Sequence, residues 1–186
     1  MRNLFFALLL LPMLQACFPV VATGFGAGVL MADDRRSSGI YIEDENIELK
    51  AGSRVGDIAK DNAHINITSF NRLVLLTGEV ASEEVKREIE NVVREIPNVK
   101  NVQNELVVAG VSSMLSRSND SYLTSKVKMR FIDGQKFNAN HVKVITESNV
   151  VYLLGLVKRQ EGEDAAAIAA STSGVQRVVK VFEYLD

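Results

Sequence analysis

The chain has 186 residues, of which 47% are hydrophobic, and a formal net charge of −2 at pH 7. This near-neutral balance gives no indication of a basic surface for nucleic acid. One cysteine excludes an internal disulfide and a metal cluster built from several thiolates. The length fits one domain or two small ones, whose stability must come from burial of apolar side chains.

The first sixteen residues have the pattern of a signal peptide. Arg2 is followed by an uncharged, apolar run over residues 4–14, and the small Ala16 precedes Cys17. A basic start, a short apolar segment and a small residue before the cleavage site are typical of secretory signal peptides. The run is much shorter than the roughly 20 residues of a membrane-spanning helix. The other interpretation is a buried N-terminal helix; the sequence favours a signal peptide over residues 1–16.

Residues 14–17, Leu-Gln-Ala-Cys, resemble the lipobox of bacterial lipoproteins. The resemblance implies that Cys17 carries diacylglycerol and, after cleavage, an acylated amine. Several acyl chains hold a protein firmly at a membrane, because each buried methylene contributes about 0.8 kcal/mol. Cys17 is therefore the predicted lipid attachment site. Residues 17–45 show no clear amphipathic period and are predicted to be the lipidated N-terminus and a tether.

The rest of the chain contains one pattern twice. The stretch HINITSFNRLVLLTGEV at residues 64–80 aligns without a gap with HVKVITESNVVYLLGLV at residues 141–157. Two copies are too few for a solenoid, so this self-similarity indicates two sister domains. We predict domains at residues 46–110 and 119–186, joined by a linker at residues 111–118.

Each copy predicts the same order of elements. An alternating apolar strand, a polar turn at residues 71–72 or 148–149, and a second apolar strand predict a hairpin. A helix with apolar residues at helical spacing follows, and then a third strand. A further helix precedes each copy, at residues 46–60 and 120–132. The predicted fold class is α+β: two tandem αββαβ domains, each with a small mixed three-stranded sheet packed on helices.

Two short motifs in each copy resemble a known family. An apolar run with a Gly-x-Val step ends the second strand, in LLTGEV and LLGLV. A Gly/Asn-Val-x-x-Val step follows about 20 residues later, in NVKNVQNEL and GVQRVVKVF. This arrangement resembles the BON domain, and two copies behind a lipobox resemble the dual-BON envelope lipoproteins. The resemblance implies a lipid-anchored protein of the outer membrane that faces the periplasm.

The sequence contains no convincing active site. His64 and His141 occupy the same repeat position, which a shared fold explains better than one catalytic centre. No Gly-rich phosphate loop followed by Lys-Ser/Thr is found, and no G-x-S-x-G nucleophile motif. Gly78 and Gly155 end strands, where a bend is the simpler explanation. We therefore expect no enzyme, no cofactor and no metal.

The helix predicted at residues 120–132 has two apolar faces. Leu123, Val127 and Phe131 recur every four residues and form an ordinary core stripe. Advancing each residue by about 100° places a second stripe roughly opposite the first. An exposed apolar stripe bordered by cations is typical of a helix that binds a membrane surface. The second stripe consists of Tyr122, Ser125, Met129 and Ile132, with Lys126 and Lys128 on its two sides.

The residues alone leave two interpretations of this second stripe open: membrane binding, or packing against the first domain. The resemblance favours the former, because related dual-BON lipoproteins bind anionic phospholipid through this helix and help to maintain outer-membrane integrity. The alternative function is a protein-binding adaptor for an outer-membrane assembly or cell-division complex. No nucleic-acid partner is expected. By position, the implied phospholipid-binding residues are Tyr122, Leu123, Lys126, Lys128, Met129 and Arg130.

Overall fold

A computed structural model describes residues 34–59 and 63–186. The predicted signal peptide (residues 1–16) and Cys17 lie outside the described residues. Within these described residues, the first domain contains two helices and four strands: α1 (Ser38–Ala59), β1 (His64–Phe70), β2 (Leu73–Val80), α2 (Glu83–Arg94), β3 (Asn101–Asn104) and β4 (Val107–Val108).

The second domain repeats this order. A short 3₁₀ helix at Ala139–His141 precedes its first strand, and its last strand is continuous where the first domain has β3 and β4. Its elements are α3 (Met114–Gly134), β5 (Val142–Glu147), β6 (Val150–Val157), α4 (Arg159–Ala170) and β7 (Arg177–Tyr184).

Both sheets are mixed, as the sequence predicts. In each domain the first two strands form an antiparallel hairpin, and the chain then crosses through a helix to add a parallel strand beside the second. The helix crossover is what allows a parallel neighbour, since a tight turn can join only antiparallel strands. The strands are ordered β1-β2-β3, with β4 also paired to β2, in one sheet and β5-β6-β7 in the other. The α+β fold class is confirmed.

Two helices begin earlier than predicted. α1 begins at Ser38 rather than residue 46, so the last part of the predicted tether, residues 17–45, is helical. α3 begins at Met114 rather than residue 120, within the predicted linker, residues 111–118. A serine side chain accepts a hydrogen bond from the first turn of each helix: Ser37 Oγ from Ile40 N (3.3 Å) and Ser113 Oγ from Ser116 N (3.2 Å). These caps satisfy backbone donors that a helix start leaves unpaired.

A buried aspartate on the N-terminal helix of each domain holds the hairpin turn. The turn residues Asn71, Arg72, Ser148 and Asn149 all have positive φ, as a two-residue type I′ turn requires. The carboxylate of Asp44 accepts hydrogen bonds from the backbone N–H groups of Asn71 (2.8 Å) and Arg72 (2.7 Å). Asp120 does the same for Ser148 and Asn149, at 2.9 Å each. The two domains thus share one long-range tie between helix and turn.

Two glycines allow the hairpin strands to approach closely. A Cβ atom at Gly78 would overlap the carbonyl oxygen of His64, and one at Gly155 would overlap that of His141. Gly78 also has a φ of 115°, which side-chain-bearing residues rarely adopt. Backbone packing therefore explains the two glycine positions of the repeat; the histidines take part through their carbonyl groups and not through their side chains.

The two sheets pack face to face. One face of each sheet packs against its own two helices, around Val74 and Leu76 in the first domain and Val151 and Leu153 in the second. The opposite faces meet in a third apolar cluster that joins the domains. It consists of Phe70, Leu75, Tyr152, Leu154 and Val181. Burial at this interface raises the pKa of Tyr152 to about 12.

The segment before α1 is attached to the second domain. Arg35 donates two hydrogen bonds to the carboxylate of Glu161 (2.6 and 2.8 Å) and one to the carbonyl of Leu156 (2.8 Å). This arrangement, the Arg35–Glu161 clamp, is bidentate and lowers the pKa of Glu161 to about 2. The neighbouring Arg36 forms a buried pair with Asp44 at 2.9 Å.

The clamp predicts a pH-dependent contribution to stability. Glu161 has an ordinary pKa of 4.5 and a folded pKa of about 2. Its stabilisation is therefore complete above the ordinary value and is lost as the pH falls towards the folded value. We expect Arg35→Gln to lower the free energy of unfolding at neutral pH and to have a much smaller effect at about pH 2.5. Urea unfolding at both pH values measures the difference.

Lys136→Gln is the matched control for this experiment. It removes a pair with Asp164 (3.2 Å) in which the lysine side chain is 56% exposed. Exposed pairs contribute little to stability, so this variant should unfold almost as the wild type does at either pH. An Arg35→Gln defect of equal size at both pH values would contradict the assignment to the Glu161 charge.

Candidate functional site

One face of α3 exposes a set of large apolar side chains. Leu115, Tyr122 and Met129 recur every seven residues and are 81%, 64% and 63% exposed. Seven residues are nearly two helical turns, so these side chains form a row along one side of the helix. Met114 and Ile132 are also exposed and, being 18 residues or about five turns apart, lie on the same side of the row. We call these five residues the apolar face of α3.

The opposite side of α3 is the core stripe that the sequence predicts. Leu123, Val127 and Phe131 are each at most 2% exposed. Leu123 packs against Gly174, where a Cβ atom would meet its side chain at 2.7 Å. The assignment of Leu123 to a phospholipid-binding surface is therefore corrected: its side chain supports the helix from inside the domain and does not reach a membrane.

The cations near the apolar face differ in their surroundings. Lys126 Nζ donates to the carbonyl of Ser173 (3.0 Å) and lies 6.0 Å from the ring centroid of Tyr122. Lys128 is exposed on the other side of the face. Arg130 is half-buried and donates to the carbonyl of Ile168 and to Thr172 Oγ1. Lys126 and Lys128 are thus placed beside the apolar face as predicted, whereas Arg130 joins α3 to α4.

Sequence reasoning missed Met114 and Leu115, because the helix was predicted to begin at residue 120. Ser113, a preferred helix-capping residue directly before two apolar residues, was the available signal. The earlier start lengthens the apolar row by one heptad. The interpretation in which Tyr122 and Met129 pack against the first domain is wrong, since both side chains are mostly exposed.

A second feature is a cleft between the two domains, with a volume of about 450 Å³. Strands β1 and β5 line it on two sides, and α3 contributes the side chains of Arg117, Ser121, Thr124 and Lys128. At one end, Asn66 donates to Glu147 at 2.6 Å, and His64 lies 3.8 Å from the same carboxylate. Burial raises the pKa of Glu147.

His64 is therefore part of a domain contact. Its ring nitrogens lie 3.2 Å from Asn66 Nδ2 and 3.5 Å from a guanidinium nitrogen of Arg117. Over residues 34–59 and 63–186, no group of three histidine, cysteine or acidic side chains is placed to hold a metal ion. Within the same ranges, none of the helices combines the length and apolarity needed to cross a membrane.

Comparison with known proteins assigns the family. The BON domain signature matches twice, at residues 43–110 and 119–186. The chain belongs to the BON domain family. The two matched segments are hereafter BON domain 1 and BON domain 2, with α1 and α3 as their N-terminal helices. The first residues of the apolar face, Met114 and Leu115, precede the second matched segment.

Three relatives extend over most of the chain. It is 39% identical over 176 residues to "Outer membrane lipoprotein DolP" of Haemophilus influenzae, covering 93% of this chain and 91% of the relative. It is 29% identical to "21 kDa hemolysin" of Actinobacillus pleuropneumoniae, covering 82% and 80%. It is 28% identical to "Osmotically-inducible protein Y" of Escherichia coli, covering 84% and 80%. The predicted resemblance to dual-BON lipoproteins is confirmed.

Proposed function

We propose that this chain is an outer-membrane lipoprotein, attached through acyl groups on Cys17 and facing the periplasm, that binds anionic phospholipid through the apolar face of α3. The binding has no catalytic role and supports the integrity of the outer membrane. The observation that carries the proposal is the row of Leu115, Tyr122 and Met129, exposed on a helix whose other side is the core of BON domain 2.

The composition of the apolar face suits a membrane surface. Leucine, methionine and isoleucine side chains lose contact with water when they enter the acyl region, and tyrosine favours the lipid–water boundary. Lys126 and Lys128 lie beside the face, where each cation near an anionic surface contributes about 1 kcal/mol. A helix lying in the plane of the interface uses both kinds of contact.

The relatives support the cellular location. The H. influenzae relative is described as an outer membrane lipoprotein, and it aligns with nearly the whole chain. The Leu-Gln-Ala-Cys motif at residues 14–17 is the feature of this sequence that agrees with lipid attachment. Acyl chains on Cys17 would keep the protein at one membrane, where α3 makes its own contact.

The test is vesicle binding by residues 18–186, which lack the acyl groups. We expect Leu115→Ser to weaken binding to vesicles containing phosphatidylglycerol at any salt concentration, because apolar burial is not screened. We expect the double variant Lys126→Ala, Lys128→Ala to weaken it by about 2 kcal/mol at low salt. Much of this second effect should vanish at high salt, because surface charges are screened.

Leu49→Ser is the matched control. Leu49 is 73% exposed on α1 of BON domain 1, so the change removes the same side chain from a comparably exposed helix position. This variant should bind vesicles as the wild type does. Melting curves on the same samples verify folding. Wild-type binding by folded Leu115→Ser and by the folded lysine variant would refute the lipid site.

A further inference from the structure

The inter-domain cleft is bounded by two strands that have no neighbour on one side. β1 pairs only with β2, and β5 pairs only with β6, within the part of the chain that the structure describes. The two strands run in opposite directions along the cleft: His64 and Asn66 of β1 lie near Glu147 of β5 at one end. At the other end, Phe70 lies with Val142 in a second cavity.

The hairpin register shows which backbone groups face the cleft. The residues that flank each two-residue turn, Phe70 with Leu73 and Glu147 with Val150, are paired. The two residues of such a closing pair exchange both backbone hydrogen bonds. The residue next to each of them, and every second residue after that, therefore directs its backbone N–H and C=O groups away from the partner strand. On β1 these include Ile67, and on β5 they include Val144 and Thr146. All three residues line the cleft.

Glu48 confirms this outward direction at Ser69, two residues beyond Ile67. Its carboxylate accepts a hydrogen bond from the backbone N–H of Ser69 at 2.7 Å. The outward-facing backbone N–H near the end of β1 is thus satisfied by a side chain of the protein itself. No comparable bond from the described residues is found at the N–H groups of Ile67 or Thr146. Unpaired strand edges readily accept another extended chain.

Charge along α3 indicates what such a chain would carry. Arg117 and Lys128 both line the cleft, and neither lies within 4.0 Å of a carboxylate among the described residues. Eleven residues separate them, which is about 16 Å along a helix. Ser121 and Thr124, with hydroxyl groups, lie between them. The cleft therefore has a cation near each end, with these hydroxyl groups and the carboxylate of Asp120 between them.

We propose that the inter-domain cleft binds an extended peptide segment that adds a strand beside β1 or β5 and places a carboxylate near Arg117 and another near Lys128. Carboxylates on residues i and i+4 of a strand share one face and lie about 13 Å apart, within reach of these two long side chains. The carboxylates of Asp120 and Glu147 also line the cleft, and each already accepts hydrogen bonds within the protein. The unpaired strand edges, which offer backbone hydrogen bonds to an extended chain, favour a peptide over a phosphate headgroup. Peptide recognition by strand addition takes its affinity from the backbone hydrogen bonds.

The probe is the fluorescent peptide Glu-Val-Thr-Val-Glu, blocked at both ends, titrated into the full lipidated chain in detergent micelles. The peptide with N-methylated threonine lacks one backbone donor, and the peptide with lysines in place of glutamates has reversed charge. We expect either change to weaken binding by about tenfold or more. Equal affinity for all three peptides, or no binding of the first, would overturn the proposal.

A matched pair of variants locates the site. Ser121 lines the cleft, whereas Ser118 lies beside the apolar face; both are exposed, and each hydroxyl donates to the carbonyl four residues earlier. Ser121→Trp fills the cleft and should abolish peptide binding, while Ser118→Trp should leave it unchanged. The amide signals of Ile67 and Thr146 should shift on titration of the wild type, and those of Tyr122 and Met129 should not.

A third titration separates the peptide from a lipid headgroup. Soluble glycerophosphoglycerol should leave the Ile67 and Thr146 amides unchanged. If it shifts them and the acidic peptide does not, the cleft binds a headgroup and the peptide proposal fails. Because vesicle binding is measured separately on Leu115→Ser, failure of the peptide proposal leaves the proposed membrane function standing, and the reverse also holds.

Discussion

Replacement of Asp44 by alanine is expected to lower the free energy of unfolding by about 3–5 kcal/mol, the range for breaking a buried ion pair from one side. The carboxylate of Asp44 accepts hydrogen bonds from two backbone N–H groups of the hairpin turn and from Ser69 Oγ. It is also the partner of Arg36, whose side chain is 7% exposed. Alanine leaves these donors without an acceptor and the guanidinium with one carboxylate fewer. Urea unfolding followed by circular dichroism measures the loss.

The second domain supplies the control for this change. Asp120 holds the equivalent turn through two backbone hydrogen bonds. No arginine pairs with it within 4.0 Å among the described residues. We expect Asp120→Ala to lower stability by about 1–3 kcal/mol, the cost of buried donors left unsatisfied. Equal losses of stability for the two variants would mean that the ion pair between Arg36 and Asp44 adds nothing to stability.

Replacement of Gly78 by alanine is expected to lower the free energy of unfolding by about 3 kcal/mol, from backbone strain and overpacking together. The new Cβ atom would overlap the His64 carbonyl oxygen, and the residue would keep a φ of 115°. Gly155→Ala meets the His141 carbonyl in the same way, but its backbone is not in the left-handed region. Its expected loss is smaller, about 1–3 kcal/mol.

Gly56→Ala tests whether alanine is harmful at these positions only. Gly56 lies within α1, and a Cβ atom there would meet nothing within 4 Å. Alanine favours helix over glycine by about 1 kcal/mol, so this variant should be slightly more stable than the wild type. Thermal unfolding of the three variants gives the order. A Gly78→Ala protein as stable as the wild type would show that β1 and β2 can separate without cost.

The repeat made most of the fold predictable, because its signals are local. Turn residues at 71–72 and 148–149, and helical spacing from Val85 to Ile96, each depend on neighbours in sequence. The start of α1 was not predictable in this way, since residues 38–45, SGIYIEDE, show no clear amphipathic period. The burial of Asp44 depends on donors that are distant in sequence, such as the hairpin turn 27 residues later.

The sequence indicated that β2 is buried on both faces, but it did not indicate that the two domains pack against each other. The first four residues of the β2 run LVLLTGEV are all apolar, which is typical of a strand covered on both faces. The sequence therefore predicted a buried strand but not what covers its second face. Leu75 contacts the sheet of the sister domain through the cluster that includes Tyr152 and Leu154. The face of the other sheet that covers this strand depends on residues far away in sequence. The strands of the two domains have nearly identical patterns, so the sequence does not single out one partner.

In the candidate site, too, local sequence spacing predicted some features correctly, whereas features that depend on neighbours in space were missed. Helical spacing correctly placed Tyr122 and Met129 opposite Val127, because the geometry of a helix is fixed by sequence position. The set transferred from related proteins included Leu123 and Arg130, which point towards the core and towards α4. Exposure of a residue on a helix depends on its neighbours in space, which a resemblance by position does not supply.

The Arg35–Glu161 clamp determines where a mechanical load would enter the protein. If the protein is anchored at Cys17 as proposed, tension along the chain would reach Arg35 before it reaches α1. The two hydrogen bonds to Glu161 would then carry that load together into the first turn of α4. BON domain 1 would be shielded from a pull on its own N-terminal helix. The force would be borne by BON domain 2, the domain that presents the apolar face of α3.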